Sequence, residues 1–285
     1  DKHMKKIVSI IIIALLPLMG ANAQGNTAKQ YLPEEGDWAV GVNVIPLLKH
    51  IGGNDDEIFG GGTPFTKDNE KFGLIPDVSI LAKYMLTDNI GLRANVGFMF
   101  GSDKDRYYTT DDKAVMDNPL SEDKVIDACR TNNNGMSLNL GIEYRKGSRR
   151  VQGVFGAGIL FAVQSQKTTY EYGNEMTAVN QTPTTIFSYQ NGYRPTEVKS
   201  NGNFYTGLTG SIGVEWFVAP KISLGAEVNI TAYYEFGSQS YTKSEGYNVP
   251  LGAVEERTDI TSPGDRGFHI GTESLGGALN MTFYF

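Results

Sequence analysis

Leu275-Gly-Gly-Ala-Leu-Asn-Met-Thr-Phe-Tyr-Phe285 is the stretch whose reading decides the fold. Counting back from the end, Phe285, Phe283, Met281, Leu279 and Leu275 fall on one face, and Tyr284, Thr282, Asn280, Ala278 and Gly276 on the other. That is the period of two of a β-strand. A solvent-exposed terminus gains nothing from a large apolar residue at alternate positions. The face must be covered, and the remaining chain decides between a second sheet and lipid.

Seven further segments alternate in the same way, which places strands near 37–45, 74–86, 90–100, 135–145, 151–164, 204–218 and 222–236, with the last at 268–285. In the third, Ile90, Leu92, Ala94, Val96, Phe98 and Phe100 alternate with Gly91, Arg93, Asn95, Gly97 and Met99. A strand of about ten residues tilted by roughly 40° spans about 25 Å, the height of an outer-membrane apolar band. The connections alternate in length. Thr87-Asp88-Asn89, Lys146 to Arg150 and Ala219-Pro220-Lys221 are tight turns, whereas 46–73, 101–134, 165–203 and 237–267 read as long loops. Aromatics also sort by depth: Trp38, Tyr84, Tyr144, Trp216, Phe283 and Phe285 at the short-turn end, Phe98, Phe100, Phe161, Phe204, Tyr234 and Phe236 at the long-loop end. A soluble sandwich has no reason to sort either feature, whereas a membrane barrel has two aromatic girdles. One residue misfits: parity points Glu273 outward unless a bulge at Gly276-Gly277 turns it in.

This pattern resembles the small eight-stranded outer-membrane β-barrels, the class of the OmpA transmembrane domain and OmpX. The resemblance covers almost the whole chain after residue 23 and rests on topology and the terminal strand. It implies that the ending containing Phe283 and Phe285 is an assembly signal read by the barrel-assembly machinery, and that the last strand closes on the first. The expected fold is all-β: a closed eight-stranded antiparallel up-and-down transmembrane β-barrel over 37–285, with short periplasmic turns and four long extracellular loops. The expected location is the outer membrane of a Gram-negative cell, with both termini in the periplasm.

The N-terminus carries Lys5 and Lys6, the apolar run Ile7 to Leu18 and then Ala21-Asn22-Ala23, the three parts of a signal peptide. Asp1-Lys2-His3 before Met4 read as a remnant outside the fold, and 24–36 as a short periplasmic segment. No Cys follows the small residues, which argues against a lipoprotein. The whole chain has 25 basic and 32 acidic residues. Without Asp1, Lys2, Lys5 and Lys6 these become 22 and 31, a formal charge of -9 that excludes a nucleic-acid partner. The one cysteine, Cys129, excludes an internal disulfide framework.

Eight strands enclose an interior only wide enough for side chains. Alternation turns Lys83, Arg93, Glu143, Arg145, Glu215 and Glu227 inward, three charges of each sign. Buried charges require partners, so a salt-bridged plug is expected ahead of an ion path. Catalytic signals are sparse. His50 lies in a loop and His269 near the mouth, and although some outer-membrane barrels modify lipids, a polar inward row does not suit an acyl chain. No His/Cys metal spacing occurs, and Asn54-Asp55-Asp56-Glu57 and Asp111-Asp112 lack a spaced calcium loop. No cofactor is expected. The first, second and fourth loops are acidic, and the third interleaves Tyr170, Tyr172, Phe187, Tyr189 and Tyr193 with small polar residues, a composition suited to surface contact. The expected protein is a non-enzymatic monomer, in contact with outer-membrane lipid, that contributes to envelope structure and binds an extracellular protein or glycan. A narrow porin-like barrel and a lipid-modifying enzyme are the alternatives.

Overall fold

The structure is a computed structural model describing residues 31–43, 79–147 and 149–285, with backbone alone for Asn201 and 271–278. Its strands are β1 (Trp38–Asn43), β2 (Ser79–Met85), β3 (Ile90–Thr110), β4 (Lys124–Lys146), β5 (Val151–Glu171), β6 (Arg194–Ala219), β7 (Ile222–Gly237), β8 (Ser240–Asn248), β9 (Ala253–Ser262) and β10 (Arg266–Tyr284). One short helix, α1 (Asp112–Asp117), follows β3, with Asp111 capping its N-terminus.

Every pairing is antiparallel, and the pairings run in a ring: β1 to β2, β3, β4, β5, β6, β7, β10 and back to β1. The seam joins the ends of the chain. Val40 faces Phe283 and Gly41 faces Thr282; Phe285 N donates to Trp38 O at 2.9 Å and Trp38 N to Phe285 O at 3.0 Å. β8 and β9 form a hairpin attached to the far end of β6.

Period-two sequence becomes an inside and an outside. Leu81, Val154, Leu160 and Phe217 are buried within the ring, while outward Leu92, Leu140, Ile159 and Leu208 remain 44, 46, 48 and 67% exposed. The apolar wall therefore faces outward with no protein over it. Aromatics gather at its two rims, with Trp38 4.7 Å from Tyr84 at one, and Phe236 5.9 Å from Phe204 and 4.6 Å from Tyr234 at the other. At the short-turn end, Tyr31 and Leu32 pack on Ala39, Met85, Phe217 and Tyr284. There Gly36, at φ +90°, donates to Met85 O, and the Arg150 guanidinium lies 3.7 Å from the Tyr31 ring.

Two expectations need correction. The described residues form ten strands, not eight, because β8 and β9 lie within 237–267. The stretch 101–134 is largely strand, and 165–203 is strand at both of its ends: the β3–β4 register runs unbroken from Ile90 to Thr110, since backbone pairing persists after the apolar row ends. In β10 the pairing with β7 shifts register between Gly271 and Gly276, next to the place where a bulge is expected. Residues 44–45, the loop 46–73, 74–78 and everything before 31 lie outside the described residues.

Close strand packing depends on particular glycines. A Cβ on inward-facing Gly141 would overlap Ala157 O and come within 2.9 Å of the Gly158 Cα, whereas one on outward Gly210 meets nothing within 4 Å. Gly141→Val should lower barrel stability by about 1–3 kcal/mol through overpacking, read as a reduced urea midpoint. Gly210→Val should leave the midpoint unchanged.

Candidate functional site

The six inward charges come from five strands of the wall. Lys83 and Arg93 face each other across β2 and β3, Glu143 and Arg145 follow on β4, and Glu215 and Glu227 come from β6 and β7 on the opposite side. All six meet. Lys83 Nζ lies 2.9 Å from Glu143 Oε2 and 3.6 Å from Glu215 Oε2. The Arg93 Nη2 to Glu227 Oε2 distance is 3.0 Å and that from Arg93 Nη1 to Glu143 Oε2 is 4.0 Å. Arg145 pairs with Glu215 and, at 3.6 Å, with Glu143.

Neutral donors and rings complete the cluster. The Ser223 and Tyr284 hydroxyls both donate to Glu215 Oε1, and Arg93 Nη1 donates to Ser211 Oγ at 3.2 Å. The Arg145 guanidinium carbon lies 5.4 Å from the Phe217 ring centre and 5.2 Å from that of Tyr284, a cation held on aromatic faces. Arg145 and Glu143 are each 1% exposed. Above them Asn139 Nδ2 donates to Thr209 Oγ1 at 3.0 Å. The arrangement cross-links opposite walls of the ring, and its six side chains sum to zero formal charge.

A second polar group sits at the long-loop end of the interior. Asn203 Nδ2 and the Tyr205 hydroxyl donate to Glu235 Oε1 at 2.6 and 3.3 Å. His269 lies 3.4 Å from Glu235 Oε2 and stacks on Tyr233 at 5.1 Å. It is half exposed and joins this network at the mouth. His50 and Asn54-Asp55-Asp56-Glu57 lie outside the described residues. Asp111 is used as a helix cap, and among the described residues no group of three metal-ligating side chains forms. Cys129 is a free, half-buried thiol, pushed up by burial and by Asp105.

Beyond the wall, residues 174–190 fold over the inward face of the extended β3–β4–β5 sheet. Asp127, fully buried, accepts from Gly173 N, Thr185 Oγ1 and Ile186 N. Asn174 accepts from Asp112 N and donates to Thr110 O and Thr184 O. Buried Arg194 donates to Glu245 at 2.7 Å and to Asn174 O at 2.9 Å, with its guanidinium 3.9 Å from the Tyr172 ring. The aromatic residues picked out in this region are used inside it. The Phe187 ring lies 5.0, 6.0 and 6.1 Å from those of Tyr170, Tyr172 and Tyr107. Tyr189 donates to Pro183 O and Tyr193 to Glu255. All five picked residues are half-buried, and burial pushes the hydroxyls of Tyr170, Tyr172 and Tyr189 up. Asp127, Asn174, Arg194 and Tyr107 escape a sequence reading because their partners are distant in the chain. Phe283 and Phe285, which the resemblance implies are an assembly signal, lie at the seam and are both exposed.

The model of the outer membrane protein beta-barrel domain matches residues 12–253 of this chain. The chain belongs to that family, and it is a bacterial outer-membrane β-barrel protein whose apolar outward rows face lipid. No curated protein matches it. Among solved structures it is similar to the outer membrane protein OprG from Pseudomonas aeruginosa, at 11% identity, 90% coverage of this chain and 98% of that one, and a TM-score of 0.33. It is also similar to a major outer membrane protein from Thermus thermophilus, at 12% identity, 87 and 98% coverage, and a TM-score of 0.31.

Two predictions follow from this geometry. Glu143→Ala strands Lys83 and Arg145 in the interior and should cost about 3–5 kcal/mol, whereas replacing both Lys83 and Glu143 by Met should cost less; urea unfolding in detergent separates them. The cap responds to acid. Burial pushes Asp112 up, but hydrogen bonds from Thr184 and Asn180 outweigh this and hold its carboxyl below the ordinary value. With the folded pKa below the unfolded one, its stabilisation is present above about pH 4 and is lost as pH falls through the folded value. Proteolysis within 174–190 should therefore accelerate on acidification, and Asp112→Asn should make it fast at neutral pH.

Proposed function

We propose that the protein is a plugged, non-enzymatic outer-membrane barrel that contributes to envelope structure and makes surface contacts through its outer hairpins. The observation that carries this reading is the interior cluster: six charges drawn from opposite walls are paired with one another in a ring too narrow for a bypass. An ion path would need charges facing open water. The short turns lie at the same end of the ring as Trp38 and Phe285, which supports a periplasmic position for the termini, with the extended hairpins outside the cell.

Contact with an extracellular protein or glycan is assigned to the hairpin tips. The aromatic cluster of 170–193 supports the cap from beneath, while the tips expose Leu120, Val179 and Leu251 at 88, 83 and 71%. Each tip thus offers an apolar side chain that a partner could cover. The protein acts as a monomer in this reading.

The test has two arms. In planar bilayers the purified barrel should show no large steady currents. In proteoliposomes presented to immobilised matrix proteins and glycans, the variant carrying Leu120→Ser, Val179→Ser and Leu251→Ser should lose the binding of the unmodified protein while remaining heat-modifiable. Steady large currents would overturn the plug, and full binding by the triple variant would overturn the tip assignment.

A further inference from the structure

Alternation does not stop at the upper aromatic girdle; beyond it, charge replaces hydrophobicity. Past Phe100, β3 reads Gly-Ser-Asp-Lys-Asp-Arg, and its register with β4 is unbroken. Lys104 and Arg106 therefore continue the lipid-facing row of Phe98 and Phe100, while Asp103 and Asp105 continue the inward row. The same parity puts Arg130 on β4, Lys167 on β5, Lys199 on β6 and Lys243 on β8 on the outward side. Six cations thus share one face, and among the described residues only Glu171 and Glu197 form ion pairs with them, in a chain of formal charge -7.

Two pairings on this face are costly. Lys104 stands directly across from Arg130, and Lys167 directly across from Lys199. Like charges in opposed register positions destabilise a sheet. The acids present relieve only part of this. Glu171 lies 2.6 Å from Lys104, and Glu197 lies 2.7 Å from Lys167 and 3.3 Å from Lys243. Hydrogen bonds from Lys167 and Tyr241 hold the Glu197 carboxyl down at about 2, so that acid is fully engaged. Among the described residues, no carboxylate forms an ion pair with Arg106, Arg130 or Lys199.

Shape and height agree with the charge. A groove of about 530 Å³ opens here, with Phe100 on one side, Lys167 and Lys199 on the other, and Ser102, Asn132 and Asn134 between them. Along its own strand each cation lies beyond a rim aromatic: Lys104 is four residues past Phe100, Lys199 five from Phe204 and Lys167 six past Phe161. At about 3.3 Å per residue and roughly 40° of tilt, these backbone positions are about 10 to 15 Å above the girdle. A bilayer's polar zone extends roughly 5–8 Å beyond its hydrocarbon. The long Lys and Arg side chains reach back toward that zone.

We propose that this outward groove and the cations around it bind the phosphates of a phosphorylated glycolipid in the surrounding leaflet, with the acyl chains lying along the Phe98, Phe100 and Phe161 surface. Phosphate oxygens would neutralise the two opposed cation pairs, the amides and hydroxyl between them would bind sugar oxygens, and the aromatic rim would pack on the chains. Asp103 and Asp105, on the other face, would not meet the lipid.

Native mass spectrometry of the detergent-solubilised full chain tests this by titration with lipid A carrying two phosphates and with the same lipid dephosphorylated. The phosphorylated lipid should bind at least about tenfold tighter. Lys167→Gln with Lys199→Gln should weaken it by about fivefold per lysine, roughly 25- to 30-fold together, and Lys167→Arg with Lys199→Arg should retain it. Lys104→Gln with Arg130→Gln gives an independent second loss, and Asp103→Asn with Asp105→Asn should change nothing. Heat-modifiability reports folding of each variant. Equal affinity for both lipids, or wild-type affinity in both Gln double variants, would overturn the proposal. Displacement of the lipid by an equal concentration of inorganic phosphate would overturn the lipid assignment and leave a soluble-anion site.

Discussion

The structure depends on the backbone seam between β1 and β10. In a hydrocarbon layer no water satisfies a free N–H or C=O, so an open sheet edge is not a permitted state and the first and last strands must find each other. Trp38 and Phe285 exchange both backbone hydrogen bonds at the end of that seam. Once the ring of pairings exists, every side chain is assigned to one of two solvents. Outward rows must be apolar because they face lipid, and inward rows are crowded because eight strands leave no room for bulk water.

The interior charges follow from that crowding. An ion in so narrow a space is stable only if counter-ions occupy the same layer, and Glu143 accordingly lies near Lys83, Arg93 and Arg145 at once. Glycines make the layer possible. Arg93 faces Gly141 across β3 and β4, and Gly141 lies opposite Gly158 on β5, which leaves space on the wall for the guanidinium to reach across to Glu227. Such a cluster is a weak source of net stability, since desolvation offsets most of the attraction. What it does supply is registry: a one-residue slip of β4 against β3 would turn Glu143 and Arg145 into lipid.

The membrane-spanning part was legible because its alternation is extreme. Ile90 to Phe100 could face only one way, and the six inward charges could only meet one another once the ring closed. Legibility failed where the environment changed. At Gly101 the apolar row ends, and a reading keyed to hydrophobicity starts a loop there, although the strand continues to Thr110 and its partner begins at Lys124. The β8–β9 hairpin was hidden for the same reason, since Tyr241-Thr-Lys-Ser-Glu245 has strand propensity but no apolar row. The cap was unreadable in a different way. Asp127 is buried by residues 46 to 59 positions away, and no local pattern announces such partners. Tyrosines that looked free for contact are half-buried because the cap needs an apolar underside.

One alternation therefore operates in three settings along β3. Between Ile90 and Phe100 it separates lipid from lumen; from Gly101 to Arg106 it separates cations from carboxylates; and at Tyr107 and Thr109 it turns side chains toward the cap. The middle setting has no account within the fold. Burial explains the apolar row, and mutual pairing explains the interior charges, but an outward row that sets Lys104 against Arg130 and Lys167 against Lys199 opposes folding by itself. Glu171 and Glu197 on the same face relieve part of this cost, and Arg106, Arg130 and Lys199 remain without an ion pair among the described residues. An anionic headgroup layer around the barrel just above the rim turns the like-charge cost into attraction, and that is the explanation of the row proposed above.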